Sequence, residues 1–328
     1  MPMLLNLIIA LVGLLLLVWG AERFVHGAAG LARSLGVSTL VIGLTVVSLG
    51  TSAPELLVNF TAQLTGAPAM AFGNVVGSNI ANIGLVLGVS ALLLPLTVHS
   101  QVLRREYPLL LGVTILLGAM IMDEGLQPLE GLLLTIGLGG YAYWTFRDAR
   151  RTEDDPFLAE VTEDVPEALP MGKAVLWLLV GLAGLVLGSR GLVFGAAEMA
   201  QAVGISDLVI GLTLVAFGTS LPELAASLAA VAKKEDDLVV GNVVGSCLLN
   251  ILLVLGVPAM IGGMPAGPEA VWRDLPVLIG LTLILGPLFI NGPRGSYRIN
   301  RLEGGVLVVA YVGYVFWVIQ SSLGGGGA

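Results

Sequence analysis

The chain has 328 residues, of which 56% are hydrophobic and only 12% charged, where soluble domains carry roughly a quarter charged residues. Too little polar surface remains to wrap a soluble globule, and apolar runs long enough to cross a bilayer recur from end to end, so a polytopic membrane protein set in lipid is expected. A formal charge of −8 and a pI near 4.8 argue against nucleic acid as a partner, and the single cysteine, Cys247, allows neither an internal disulfide nor a cysteine-based zinc site.

Met1 to Val18 is apolar but lacks the basic leader and small-residue cleavage site of a secretory signal, and 3–33 is read as a first membrane span. Spans are then expected at 37–64, 69–96, 106–122 and 128–146, and after a polar stretch at 173–200, 205–231, 237–262, 273–290 and 303–321. Several exceed the ~20 residues of a straight span and contain Gly, Pro or polar interruptions, which predicts tilted or broken helices. The stretch from Arg147 to Lys173 holds eight acidic and four basic residues with three prolines, and reads as a solvated cytoplasmic linker. The glycine-rich end reads as a flexible tail. The expected domains are thus 1–148, a linker at 149–170, and 171–328.

Orientation follows from the fifteen Lys and Arg residues: with the amino terminus outside, thirteen fall on the interior side and only Arg190 and Arg273 outside. This split supports ten spans with both termini extracellular or periplasmic, in a plasma (inner) membrane. The five tryptophans lie near span ends, as an interfacial belt requires. His26 and His99 sit near span ends and read as interfacial side chains, and Glu198 and Asp207 as boundary residues.

The chain is also self-similar at a constant offset of 168. GLTVVSLGTSAPELLVN at 43–59 matches GLTLVAFGTSLPELAAS at 211–227 in ten of seventeen positions, and GNVVGSNIANIGLVLG at 73–88 matches GNVVGSCLLNILLVLG at 241–256 in twelve of sixteen. Two ungapped matches at one offset mark a duplicated unit. Five spans per unit make the second copy enter the membrane from the opposite side, so the expected fold is all-α, ten transmembrane helices in two inverted five-helix repeats with broken helices around a central site.

Glu55 is the only formally charged residue between Arg33 and Arg104, and Glu223 is similarly isolated in the second half. A carboxylate deep in a bilayer costs several kcal/mol unless it faces a polar cavity and finds a partner. Neither motif holds a Lys or Arg, so each Glu is protonated or meets a cation from outside the protein. Thr51 and Ser52 precede Glu55 by four and three residues, and Thr219 and Ser220 repeat this before Glu223. Ser78 and Asn82 lie four apart on one helix face, as do Ser246 and Asn250. Pro54 and Pro222 have no backbone N–H, so the Gly50 and Gly218 carbonyls lose helical partners, with further carbonyls at Ser48 and Ala216 open to release by unwinding. Oxygen-only donors without thiolate or imidazole suit calcium or sodium, and two glutamates match one calcium or two sodium ions.

These paired GTSAPEL and GTSLPEL motifs, with the paired GNVVGSN and GNVVGSC motifs, resemble the alpha repeats of the sodium/calcium exchanger branch of the cation/calcium antiporter superfamily, and the resemblance extends over nearly the whole chain to compact prokaryotic members. It implies that Thr51, Ser52, Glu55, Ser78, Asn82 and the Ser48 carbonyl meet Thr219, Ser220, Glu223, Ser246, Asn250 and the Ala216 carbonyl around a central cluster of ion sites. It implies a secondary transporter rather than an enzyme, working by alternating access as the long first and sixth spans slide across the core. The transported ions would be calcium and sodium, with no cofactor and no protein partner. Several members carry Asp where this chain has Asn250, which bears on stoichiometry, potassium dependence and proton coupling. Cys247 stands where the first repeat has Asn79 and reads as a packing substitution.

Three other readings use the same residues or the same spans. A calcium/proton antiporter uses the same glutamates, which carry a proton as readily as a metal. A passive channel would show no coupled counterflux. An intramembrane hydrolase built on Thr51 or Ser52 fits poorly, because neither motif supplies a His or Lys base in the same span.

Overall fold

A computed structural model describes residues 3–66, 68–98, 102–123, 125–151, 169–202, 216–290 and 297–324. Most of the 149–170 linker, with His99, Asp207 and the glycine-rich tail, lies outside them. The first half contains α1 (Met3–Leu35), α2 (Thr39–Thr51), α3 (Ala53–Leu64), α4 (Pro68–Leu93), α5 (Val102–Asp123) and α6 (Pro128–Arg151). The second contains α7 (Met171–Ala202), α8 (Ala216–Thr219), α9 (Leu221–Ala232), α10 (Asp236–Gly262), α11 (Gly267–Phe289) and α12 (Arg301–Gly324). Among the described residues, seven helices are each long and apolar enough to cross a membrane, and α2 with α3 makes an eighth such stretch, bent by 45° at Ser52. Of the span expected at 205–231, α8 and α9 are the described part.

Burial sorts these helices into a core and a shell. From Leu238 to Leu252 every residue of α10 is buried, and most of α4 is buried as well. Helices that are apolar all round belong in such positions. By contrast α1 exposes Leu4, Leu11, Leu15 and Val18, and α12 exposes Val309, Val312 and Phe316, the faces that lipid tails would cover. Arg23 of α1 stacks over Trp177 of α7, its guanidinium carbon 4.9 Å from the ring centre, with Trp19 on the same helix.

Glycine sets how α1 meets α7. A Cβ at Gly20 would lie 2.6 Å from the Gly184 carbonyl carbon, so the backbones touch where no side chain intervenes. Gly13 abuts Gly188 and Leu192 while Gly181 abuts Gly20 and Phe24; Gly27 abuts Ala174 and Leu178 while Gly195 abuts Asn6 and Ala10. Each contact maps onto its counterpart by a shift of 168, and the two helices run antiparallel. That exchange is what a two-fold axis between equivalent elements produces.

Two small ribbons repeat the pattern. β1 (Leu96–Thr97) pairs antiparallel with β4 (Arg298–Ile299), and β2 (Gly125–Leu126) with β3 (Met264–Pro265), so each half lends its strands to the other. β3 lies 168 residues after β1.

Candidate ion-binding site

Each glutamate starts a helix just after a break. α2 ends at Thr51, Ser52 forms a turn, and α3 begins with Pro54 in its first turn and Glu55 directly after it. The second half copies this: α8 ends at Thr219, Ser220 is the turn, and Pro222 and Glu223 open α9. Proline is tolerated in a first helical turn, where its missing N–H costs no hydrogen bond, and it prevents the preceding helix from running through. A helix amino terminus also favours a negative side chain.

The break releases less backbone than the prolines alone would suggest. The Ser48 carbonyl still accepts the Ser52 amide at 3.0 Å, because the turn at Ser52 keeps a helical bond, and the Thr51 hydroxyl lies 3.4 Å from the same oxygen. The Ser220 amide donates instead to the Phe217 carbonyl at 3.2 Å, three residues back.

A second distortion lies on the core helices. α4 widens into a π-helical segment at Asn82–Leu87 and α10 at Asn250–Leu255, again 168 residues apart. Both segments begin at the asparagine of the repeated motif. Short π segments inside α-helices recur at functional sites because they redirect side chains and loosen the backbone ladder. α9 packs on the π segment of α4 and α3 on that of α10, which crosses the halves and brings the two motifs of each together.

At this crossing Glu55 and Glu223 are both buried. Ser52 Oγ donates to Glu223 Oε1 at 3.1 Å, joining the first motif to the second glutamate. Thr51 Oγ1 donates to Asn242 Oδ1 at 3.1 Å, and Asn242 Nδ2 donates to Ser227 Oγ at 3.1 Å and to the Glu223 carbonyl at 3.4 Å. Ser48 Oγ donates to the Leu44 carbonyl at 2.9 Å. Gly245 lets α10 approach this far: a Cβ there would lie 2.7 Å from both Ser48 Oγ and the Leu44 carbonyl oxygen.

Around these contacts, buried oxygens stand without hydrogen-bond partners among the described residues: both carboxylate oxygens of Glu55, Oε2 of Glu223, Oδ1 of Asn82 and of Asn250, and the hydroxyls of Ser220 and Ser246. A buried polar group left unsatisfied costs about 1–3 kcal/mol, so seven together cost on the order of 10 kcal/mol unless something outside the chain compensates. Among the described residues neither glutamate makes an ion pair, and no three His, Cys, Asp or Glu side chains converge. Two carboxylates amid neutral oxygens match a hard cation such as calcium or sodium in both charge and chemistry.

Ser78 and Thr219 complete the expected residues: Ser78 is buried on α4 and Thr219 closes α8. Ala216 opens α8. Residues outside the expected set also join. Asn242 has its counterpart in Asn74, whose Nδ2 donates to Asn59 Oδ1 at 2.7 Å, as Asn242 does to Ser227; Asn59 in turn donates to the Ala71 carbonyl at 3.0 Å. All four lie inside the repeated motifs, and the shared GN pair of 73–74 and 241–242 was the available signal.

The sequence pattern of the sodium/calcium exchanger protein family matches residues 5–147 and 173–320. The chain belongs to the sodium/calcium exchanger family. It is 45% identical to CaxA of Alkalimonas amylolytica, over 97% of this chain and 100% of that one, and 33% identical to the sodium/calcium exchanger MaX1 of Methanosarcina acetivorans, over 94% and 97%. Its fold matches a structure of the sodium-calcium exchanger NCX_Mj soaked with 10 mM Na+ and 10 mM Sr2+, with a TM-score of 0.81, 35% identity, and coverage of 94% of this chain and 97% of that one. The chain is therefore a multi-pass membrane protein and a cation/calcium antiporter, a secondary transporter rather than an enzyme.

Proposed function

We propose that this antiporter exchanges sodium for calcium, using Glu55 and Glu223 as a shared site for which the two ions compete. The observation that carries this reading is the pair of buried glutamates, three of whose four carboxylate oxygens have no hydrogen-bond partner among the described residues while the fourth accepts only from Ser52. Two negative charges are balanced by one calcium or by two sodium ions, so each ion replaces the other without leaving an uncompensated charge in a region of low dielectric. Thr51, Ser52, Ser78 and Asn82 with the Ser48 carbonyl, and Thr219, Ser220, Ser246 and Asn250 with the Ala216 carbonyl, supply the neutral oxygens.

The halves 1–148 and 171–328, joined by the linker at 149–170, form an inverted pair. The antiparallel, mutually exchanged contacts of α1 with α7 and the swapped ribbons support this. Alternating access follows from the same symmetry: two equivalent halves exchange conformations and open the central site to each side in turn. Both termini face outward, as the distribution of Lys and Arg indicates, and inward sodium drives calcium out across a prokaryotic plasma membrane.

The test is competition at the site. Calcium binding to the purified protein, followed calorimetrically at fixed pH, weakens as sodium rises and is lost in Glu55→Gln and Glu223→Gln. Binding indifferent to sodium but displaced by protons would instead assign the chain to calcium/proton exchange.

A further inference from the structure

Asn79 lies outside the oxygens proposed to hold the ion, yet it is buried against them. Its Oδ1 accepts a hydrogen bond from Asn250 Nδ2 at 3.1 Å, linking α4 to α10. A side-chain amide has a donor end and an acceptor end. With its NH2 committed to Asn79, Asn250 turns its Oδ1 the other way, and that oxygen is buried without a hydrogen-bond partner. The opposite orientation would aim two N–H donors at a cation and hide the one atom able to bind it.

We propose that Asn79 is a positioning residue of the ion site, holding the Asn250 amide in the orientation that presents its oxygen to the ion. The inference rests on the proposed role of Asn250 as a ligand. It also gives the two halves different tasks. Under the shift of 168, the counterpart of Asn79 is Cys247 and that of Asn250 is Asn82. The Cys247 thiol lies 4.0 Å from the Asn79 backbone carbonyl and also faces the Asn82 amide, but a thiol is a weak hydrogen-bonding group, and among the described residues neither Nδ2 nor Oδ1 of Asn82 makes a conventional hydrogen bond. The Asn250 amide is held by a 3.1 Å hydrogen bond to its neighbour; the Asn82 amide has only the weaker thiol beside it. Replacement of Asn by Cys at position 247 thus removes an orienting group from one side of a duplicated site.

The test is a double-mutant cycle on the full chain in proteoliposomes, reading KM and Vmax of sodium-driven calcium-45 flux for Asn79→Leu, Asn250→Ala and the pair. Asn79→Leu raises the calcium KM about tenfold or more, the usual cost of losing a group that orients a metal ligand, while Vmax stays within about twofold. Placed in the Asn250→Ala background, the same substitution changes KM by less than about twofold, because nothing remains to orient. An unchanged KM in Asn79→Leu, or an equal effect in both backgrounds, overturns the proposal. If Asn250→Ala alone leaves KM unaltered, the failure lies instead in the ligand assignment itself. Asn79→Asp keeps the acceptor and gives a calcium KM no higher than the parent chain; a tenfold rise there overturns the orienting role even if the leucine variant does not fold.

Discussion

The Ser52 hydroxyl, carried by the first repeat, donates a 3.1 Å hydrogen bond to the Glu223 carboxylate, carried by the second. One turn separates Ser52 from Glu55, so a single loop between α2 and α3 serves both carboxylates. With its proton given to Glu223, the Ser52 oxygen keeps its lone pairs for a cation. Hydrogen bonds to charged groups contribute about 1.5–3 kcal/mol, so Ser52→Ala weakens calcium binding by roughly ten- to a hundredfold. Titration of the purified variant checks this; an affinity within twofold of the parent chain would show that the bond does not set the position of Glu223.

Glu55→Gln and Glu223→Gln each abolish calcium transport while leaving the protein folded, since a neutral amide costs less to bury than an unpaired carboxylate. Ion-free thermal unfolding shows no loss of Tm in either variant. The parent chain gains about 2.7 kcal/mol when calcium is raised to a hundred times its Kd, and both variants lose that gain. A calcium-dependent rise in Tm that survives in either variant contradicts the role given to that glutamate.

Packing between α1 and α7 leaves no room for a side chain at Gly20, where a Cβ would meet the Gly184 carbonyl carbon at 2.6 Å. Gly20→Val therefore pushes two backbones apart and costs about 1–3 kcal/mol or more, as overpacking does elsewhere. Because Gly188 occupies the equivalent position, Gly188→Val has a loss of similar size. Denaturant unfolding in detergent measures both, and a neutral result at either position would show that the helices separate without cost.

Asn242 ties Thr51 to Ser227 and the Glu223 carbonyl in a buried network. Asn242→Leu leaves the Thr51 hydroxyl without its 3.1 Å acceptor and Ser227 without its donor, a destabilisation of about 2–4 kcal/mol. The same substitution leaves the Thr51 hydroxyl to donate to the Ser48 carbonyl, 3.4 Å away, which changes two oxygens of the site and raises the calcium KM. Retained stability and KM together would remove Asn242 from the site.

Much of the fold was legible because bilayer spans announce themselves by length and hydropathy. The segment 237–262 appears as Asp236–Gly262, and 173–200 lies within Met171–Ala202. The bend at Ser52 was signalled by Pro54 and the repeat by GTS-PEL. The π segments were not: α4 and α10 are apolar on nearly every face, so hydrophobic periodicity carries no phase from which an added residue per turn could be read. Two-residue strands such as Leu96–Thr97 likewise leave no alternation to detect. Asn59, Asn74, Asn79 and Asn242 stood in plain view in the repeated motifs, but spacing along one helix singled out Ser78 and Asn82. Contacts such as Thr51 to Asn242 depend on which helices cross, and that is a property of the folded packing.

Calcium-45 uptake into proteoliposomes loaded with sodium, with pH fixed and voltage clamped, bears most directly on the exchange of sodium for calcium through Glu55 and Glu223. Uptake is expected to require the outward sodium gradient and to vanish in Glu55→Gln and Glu223→Gln. Uptake that persists without a sodium gradient, or that only a proton gradient drives, would contradict it.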